Sequence, residues 1–203
     1  MKKLLSLVEN RFDLAVIADW IEPGAHVLDL GCGNGTLLDY LIREKDVCGM
    51  GFEISLERIT ECIAKGIPVV EQDLNKPFHN VRDRSFDYVI LSQTVQEVLH
   101  PDWVVEEMLR VGRYGVLSFP NFGNWRLRMQ LQLRGRMPKT RALPYEWYDT
   151  PNIHMMTFAD FQDFCRNRGI RILKTIYLVG NQISSRLVFP NLLSQGCIVL
   201  VTR

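Results

Sequence analysis

Three glycines, each two residues from the next, stand between an apolar run and a helical pattern. The run is Ala25 to Leu30, the glycines are Gly31, Gly33 and Gly35, and the helical pattern extends from Leu37 to Arg43. Glycine permits the positive φ angles of a tight turn and lets a ligand approach the backbone closely. The sequence therefore predicts a strand, a ligand-binding glycine turn and a helix, which together form the opening unit of an α/β fold.

The alternation of strand and helix patterns continues along the chain. Strands are predicted at residues 25–30, 47–52, 67–72, 86–91, 114–119, 170–179 and 196–201. Helices are predicted at residues 12–20, 37–43, 55–65 (with Ser55 as the cap), 102–111 and 158–168. Few regular elements are expected between residues 121 and 157, a segment that we call the arm. The pattern predicts one domain over residues 1–203, with a Rossmann-like, mostly parallel sheet and helices on both faces.

Length and composition are typical of one cytoplasmic domain. The 203 residues, 47% of them hydrophobic, are enough to bury one core, and the net charge of +1 gives no global attraction to nucleic acid or a membrane. The apolar run Leu4–Val8 is too short for a signal peptide, and no later apolar segment predicts a membrane span. The five cysteines lack metal-ligand spacing, which indicates reduced thiols and no metal site.

Acidic residues at three strand ends accompany the glycine turn. Thr36 stands where a nicotinamide-type fingerprint has its last glycine, which weakens the dinucleotide interpretation. The alternative is that the glycines merely form a turn and that Glu53 and Asp73 are solvated. The pattern Asp-Leu-Gly-Cys-Gly-x-Gly resembles motif I of class I methyltransferases that depend on S-adenosylmethionine (SAM). That resemblance implies that Glu53 binds the ribose hydroxyls, that Asp73 contacts the adenine amino group, and that Asp29 steadies the loop or meets the SAM amino group.

The predicted ligand is SAM or S-adenosylhomocysteine (SAH). Its predicted binding residues are Asp29, Gly31, Cys32, Gly33, Gly35, Glu53, Ile54, Asp73, Leu74 and Gln93.

Several further stretches resemble the methionine biosynthesis protein MetW family. They are residues 13–21, the Val-Leu-Asp-Leu-Gly-Cys-Gly block, residues 71–74, residues 118–125 and, above all, residues 141–154. The resemblance covers essentially the whole chain. It implies a role in bacterial methionine synthesis beside homoserine O-acyltransferase, an acetyl- or succinyltransferase, as an accessory or regulatory protein. A SAM-dependent methyltransferase that acts on a small molecule is the alternative.

The sequence offers only weak candidates for catalysis. Residues 92–96 lack the Asn/Asp-Pro-Pro-Tyr motif of enzymes that methylate the amino groups of nucleic acids, so DNA is not expected as a partner. His154 is a candidate base, although a loop histidine beside Pro151 and Asn152 is more often only hydrogen-bonded. Tyr145 and its neighbours up to Tyr148 suit an acceptor pocket or a protein interface, and the interface is slightly favoured.

The arm is rich in basic residues. Six of them and no acid occur between residues 126 and 141, interleaved with apolar residues; they are Arg126, Arg128, Arg134, Arg136, Lys139 and Arg141. RNA binding, a solvated basic face and an arm that meets a partner or folds over the ligand all fit this composition. The alternating apolar residues and the near-neutral total charge favour the last interpretation, and RNA ranks lowest.

Overall fold

The computed structural model describes residues 11–140, 143–180 and 182–203. The strands are β1 His26–Leu30, β2 Cys48–Glu53, β3 Val69–Glu71, β4 Phe86–Ser92, β5 Gly112–Pro120, β6 Arg171–Val179, β7 Gln182–Ser184 and β8 Gly196–Thr202. The helices are α1 Phe12–Trp20, α2 Thr36–Lys45, α3 Leu56–Ala64, α4 Pro101–Val111, α5 Trp125–Arg134, α6 Phe158–Asn167 and α7 Pro190–Leu193. The short apolar run Leu4–Val8 and, in the arm, Arg141 and Ala142 lie outside the described residues.

The eight strands form one sheet in the order β3-β2-β1-β4-β5-β8-β6-β7. The five strands from β3 to β5 pair in parallel, whereas β8, β6 and β7 add to the far side in antiparallel pairs. The sequence prediction of a Rossmann-like, mostly parallel sheet is confirmed. The antiparallel pairing of its last three strands is an addition that hydrophobic patterning does not reveal.

Helices cover both faces of the sheet and create two apolar layers. On one face, α4 and α6 bury residues such as Val104 and Phe161 against the sheet. On the other face, α1 and α2 bury Ile17 and Leu38. The strands between these layers are apolar on both sides, which is why β8 reads as an almost uninterrupted apolar run.

The arm contains a helix that the sequence interpretation did not include. Residues 125–134 are mostly Leu, Arg, Met and Gln, which favour helices, and contain no glycine or proline. Asn124 caps the start of α5 by accepting a hydrogen bond from the Arg126 backbone N–H at 3.0 Å, and Gly135 ends it with a φ of 57°. The expectation of few regular elements in the arm was wrong here, because its basic and aromatic composition obscured ordinary helix signals.

Smaller differences from the predictions have local causes. Ser55 occupies the predicted cap position of α3, but its side chain makes no capping hydrogen bond. The strand predicted at residues 67–72 is reduced to Val69–Glu71, after Pro68. The short elements β7 and α7 were not predicted, because three and four residues are too few to show a periodic pattern.

Asn121 and Asn124 anchor the arm to the domain. The buried Asn121 amide donates to the carbonyl oxygens of Asn191 and Ser194, each at 3.0 Å, and its own oxygen accepts from Gly123 and Phe158 at 3.1 Å. The Asn124 amide donates to the Ser194 carbonyl oxygen at 3.0 Å. The start of the arm is therefore tied to the α7 region and to the first residue of α6.

None of the helices in the described part of the chain has the length and hydropathy that a membrane span requires.

Candidate functional site

A large cleft lies where the order of the sheet reverses. From β1 the chain continues to β2 on one side, and β4 pairs with β1 on the other side, so the loops after β1 and β4 diverge at the carboxyl edge of the sheet. Open α/β sheets bind ligands at this kind of switch point. The cleft has a volume of about 1330 Å³ and is bounded by these two loops, the start of α1 and part of the arm.

The glycine loop after β1 forms one wall of the cleft. Gly31 and Gly33 have φ angles of 74° and 57°, which favour glycine, and the Gly31 N–H donates to the Phe52 carbonyl oxygen at 2.8 Å. A Cβ atom on Gly31 would lie 2.9 Å from Thr94 Oγ1, whereas one on Gly33 would meet no atom within 4 Å. The loop is thus packed at Gly31 and open at Gly33, where its backbone can be approached.

Glu53, at the end of β2, holds this loop in place. One carboxylate oxygen accepts from the Gly33 N–H at 2.8 Å, and the other accepts from the N–H groups of Ile54 and Ser55 at 2.9 and 3.0 Å. Hydrogen bonds to an ionised acceptor are stronger than neutral ones. The buried Glu53 carboxylate therefore links the loop after β1 to the start of the segment after β2.

Asp29 lies beneath the glycine loop and lines the cleft. Its side chain is buried, and it accepts no hydrogen bond from the residues that the structure describes. Burial raises the pKa of Asp29 to about 7, a rise that the positive charge of Arg11 opposes and the negative charge of Glu53 increases. A cationic hydrogen-bond donor would stabilise the ionised form of this buried carboxylate, which burial otherwise disfavours.

Arg11 and the buried Asp13 form a polar network that also lines the cleft. Two guanidinium nitrogens of Arg11 donate to the Asp13 carboxylate at 2.9 and 3.0 Å, and Ser118 and Ser92 donate to the same carboxylate at 2.8 and 3.0 Å. Burial alone would raise the pKa of Asp13, but Arg11 and the two hydroxyl groups hold it below its ordinary value. The network joins the start of α1 to the ends of β4 and β5.

The loop after β4 connects the cleft to the arm. Gln93 has a left-handed φ of 56°, which a non-glycine residue rarely adopts. The Gln96 side chain donates to the Gln93 carbonyl oxygen at 2.8 Å, and the Gln96 carbonyl oxygen accepts from the N–H groups of Ile153 and His154 at 2.9 and 3.0 Å. Tyr145 and other arm residues complete the cleft on this side.

The structure brings part of the predicted site together. The predicted residues that line the cleft are Asp29, Gly31, Cys32, Gly33, Gln93 and Tyr145. Glu53 does not line the cleft itself, but it is hydrogen-bonded to Gly33, which does. The remaining predicted residues, which do not line the cleft, are Gly35, Ile54, Asp73, Leu74 and His154.

The residues outside the cleft have identifiable local roles. Gly35 caps α2 with a φ of 73°, and Leu74 is buried. Asp73 accepts from the backbone and side chain of Asn75 at 2.9 and 3.0 Å. The His154 ring nitrogen Nε2 lies 3.3 Å from the Leu99 carbonyl oxygen, which matches the hydrogen-bonded loop interpretation.

Sequence reasoning missed Arg11, Asp13 and Ser118. The available signal was Asp13, an acid at the start of the apolar pattern of α1 and two residues after Arg11. Acids in apolar stretches are buried only when they are paired. The serine partners of Asp13 lie 79 and 105 residues away, so their contact with it follows from tertiary structure alone.

The metal-ligating and thiol side chains bear on the chemistry of the cleft. The described residues contain no group of three or more His, Cys, Asp or Glu side chains that could hold a metal ion. Burial raises the pKa of the Cys32 thiol, and the nearby negative charge of Asp29 adds to this rise. The thiol therefore remains protonated and is a poor nucleophile. Cys32 is therefore part of the cleft wall.

The chain is similar in sequence to two proteins of known name. A Rhodopirellula baltica protein named bifunctional methionine biosynthesis protein MetXA/MetW is 36% identical over 170 residues, which are 79% of this chain and 27% of that protein. The demethylmenaquinone methyltransferase of Renibacterium salmoninarum is 29% identical over 133 residues, or 61% of this chain and 55% of the relative. The chain thus matches only about a quarter and about half of the length of these relatives.

Solved structures share the fold at low sequence identity. A SAM-dependent methyltransferase from Archaeoglobus fulgidus aligns with a TM-score of 0.69 at 16% identity, over 95% of this chain and 92% of its own. The magnesium protoporphyrin IX methyltransferase of Synechocystis, solved with bound SAH, aligns with a TM-score of 0.62 at 21% identity, over 100% of this chain and 82% of its own. The chain has the fold of class I SAM-dependent methyltransferases.

The family resemblance predicted from the sequence is confirmed by a match over residues 11–201 to the family described as "Methionine biosynthesis protein MetW". The chain belongs to the MetW family.

Proposed function

We propose that this protein binds SAM or SAH in the cleft and acts in methionine synthesis as an accessory or regulatory partner of homoserine O-acyltransferase. The observation that carries the cofactor proposal is Asp29, a buried carboxylate beside an open glycine loop and without a hydrogen-bonding partner among the described residues. The observation that carries the partner proposal is the Rhodopirellula relative, whose name joins MetXA and MetW in one bifunctional protein.

The residues present fit SAM. Its ammonium group suits the Asp29 carboxylate, and the open face of Gly33 leaves room beside the loop. Glu53 keeps acceptor capacity for ribose hydroxyls, because its oxygen nearest the loop accepts only one backbone N–H. The exposed Ile54, directly after Glu53, offers an apolar contact for adenine. When bound, SAM supplies a methyl group on a sulfonium, which is electrophilic without help from a metal.

Regulation is the favoured role. SAM is made from methionine, so a SAM-binding protein beside an early enzyme of the pathway can report the level of product. Such allostery requires that SAM change the affinity of this protein for the acyltransferase or the rate of acyl transfer.

The test is to purify the chain together with the homoserine O-acyltransferase of the same organism and to measure complex formation and acyl-transfer rate with and without SAM. A stable complex with an altered rate supports the partner role, and a response to SAM separates a regulator from a constitutive activator. Absence of both a complex and a rate change would refute the partner proposal and leave the cofactor proposal standing.

A SAM-dependent methyltransferase that acts on a small molecule is the second candidate. The observation in its favour is the cleft volume of about 1330 Å³, above the roughly 1,000 Å³ that bounds ordinary single-ligand pockets. The arm residues Tyr145 and Tyr148 line this volume, where an acceptor would sit. In-line methyl transfer needs mainly positioning, so the lack of an obvious base does not count against it. Accumulation of SAH with a small-molecule cell extract, abolished in Glu53→Ala, is the expected signature.

A further inference from the structure

We propose that the outward face of α5 is the surface that docks on the acyltransferase, and that it inserts into an apolar groove with an acidic rim. The face consists of Trp125, Met129 and Leu133 and is called the arm stripe below. This inference rests on the proposed function, which supplies the identity of the partner. It adds the place of contact and the chemistry of the partner's surface.

The arm stripe is apolar and partly exposed in the described chain. Residues four positions apart lie on the same face of a helix, so these three side chains are neighbours. Their exposed fractions are 44%, 42% and 73%, whereas Leu127, on the opposite face, is buried. A helix that exposes an apolar stripe while its opposite face is buried matches helix-in-groove recognition, in which anchors recur every three to four residues.

The basic residues around the arm stripe indicate the charge expected at the edges of the partner's groove. Residues 125–139 include five Arg or Lys side chains and no acid. Arg128, Arg134 and Arg136 form no ion pair with any described residue. The Arg126 guanidinium lies over the Trp125 ring, 5.5 Å from its centroid. Arginine is enriched at protein interfaces, where it pairs with carboxylates. The stripe therefore fits a groove that is apolar at its centre and acidic at its edges.

Hydrogen bonds hold the start of α5 to the domain, although the arm stripe is exposed. Asn124 caps the helix and also donates to the carbonyl oxygens of Leu193 and Ser194 at 3.2 and 3.0 Å. Asn121 adds contacts to Asn191, Gly123 and Phe158. An interface element that is ordered before binding loses less conformational freedom on association. This anchoring gives the exposed face the order that a docking helix needs.

Other occupants fit the surface less well. A second copy of the chain would place two basic faces against each other, and like charges across an interface are costly. A membrane surface needs one continuous apolar face, but Leu131 is half exposed on a different side of α5 from the stripe. RNA would satisfy the arginines, but the stripe offers one aromatic ring for stacking.

The test compares Leu133→Asp with a matched control, Ile63→Asp. Ile63 is 64% exposed on α3 and does not line the cleft, so both variants place an acid on an exposed apolar position of a helix. Titration calorimetry with the purified acyltransferase would give the affinity of each. We expect Leu133→Asp to weaken binding at least about 30-fold, the equivalent of a 2 kcal/mol hot spot, and Ile63→Asp to change it less than about twofold. Thermal melting of both variants verifies that each is folded.

The outcomes separate the inference from the proposed function. Failure of the unaltered chain to bind the acyltransferase removes the proposed function and this inference with it. Tight binding that Leu133→Asp leaves unchanged overturns only the docking surface. The docking surface is also overturned when Leu133→Asp dissociates a homodimer in sedimentation, or abolishes poly-uridine RNA binding, without changing the affinity for the acyltransferase.

Discussion

Replacing Glu53 with glutamine tests the connection between the glycine loop and the end of β2. The two bonds to Ile54 and Ser55 converge on one carboxylate oxygen, so the glutamine oxygen keeps them and the new NH₂ group faces the Gly33 N–H. The variant loses one charge-assisted hydrogen bond and leaves a donor unpaired, at a cost of about 1.5–3 kcal/mol. For a chain of this length, that corresponds to a fall in melting temperature of about 3 to 12 °C.

Glu71 provides a matched control for this experiment. It ends β3, is paired in register with Glu53, and has an exposed side chain. Glu71→Gln should therefore melt within about 2 °C of the unaltered protein. Differential scanning calorimetry gives both values, and SAM titration should show at least about tenfold weaker binding for Glu53→Gln only. Equal melting temperatures and equal SAM affinities in the two variants would refute the reasoning.

Three further substitutions test other parts of the structure. Asp29→Asn removes a carboxylate whose pKa is raised in the folded state. Because the folded protein holds this proton more tightly than the unfolded chain, the free energy of unfolding of the unaltered protein should fall by at most about 4 kcal/mol as pH rises from about 4 to 7. Denaturant titrations of the variant should lack this fall. Asn121→Ala leaves several buried groups unpaired and should cost about 3–5 kcal/mol, with faster hydrogen exchange in α5; normal exchange there would contradict the anchoring role. Gly33→Ala should weaken SAM binding at least about tenfold, whereas Gly66→Ala, also at a positive φ in open space, should cost similar stability and leave binding intact.

The sequence was sufficient for the parallel half of the fold. Strands buried on both faces, such as β1, appear as short apolar runs, and glycines mark the turns between them. The antiparallel placement of β8 between β5 and β6 was beyond prediction, because a buried strand has the same apolar pattern in either direction. Helix α5 could have been predicted from its Asn124 cap and Gly135 end.

The site was predictable where it follows one stretch of chain. The glycine loop and Asp29 belong to a single local motif, and the structure places them in the cleft wall. Asp13 and its serine partners come from three distant segments, so no spacing in the sequence joins them. The roles assigned to Ile54, Asp73 and Leu74 depend on a bound cofactor and stay predictions.

The position of β8 imposes an order on assembly of the sheet. Among the described residues, the β6–β7 hairpin is attached to the rest of the sheet only through β8, which follows the hairpin in the chain. During synthesis, the hairpin must therefore wait with an unpaired edge until β8 emerges and pairs with β5. Slow translation or early release between residues 184 and 196 would leave an aggregation-prone intermediate, whereas the parallel half could already be formed.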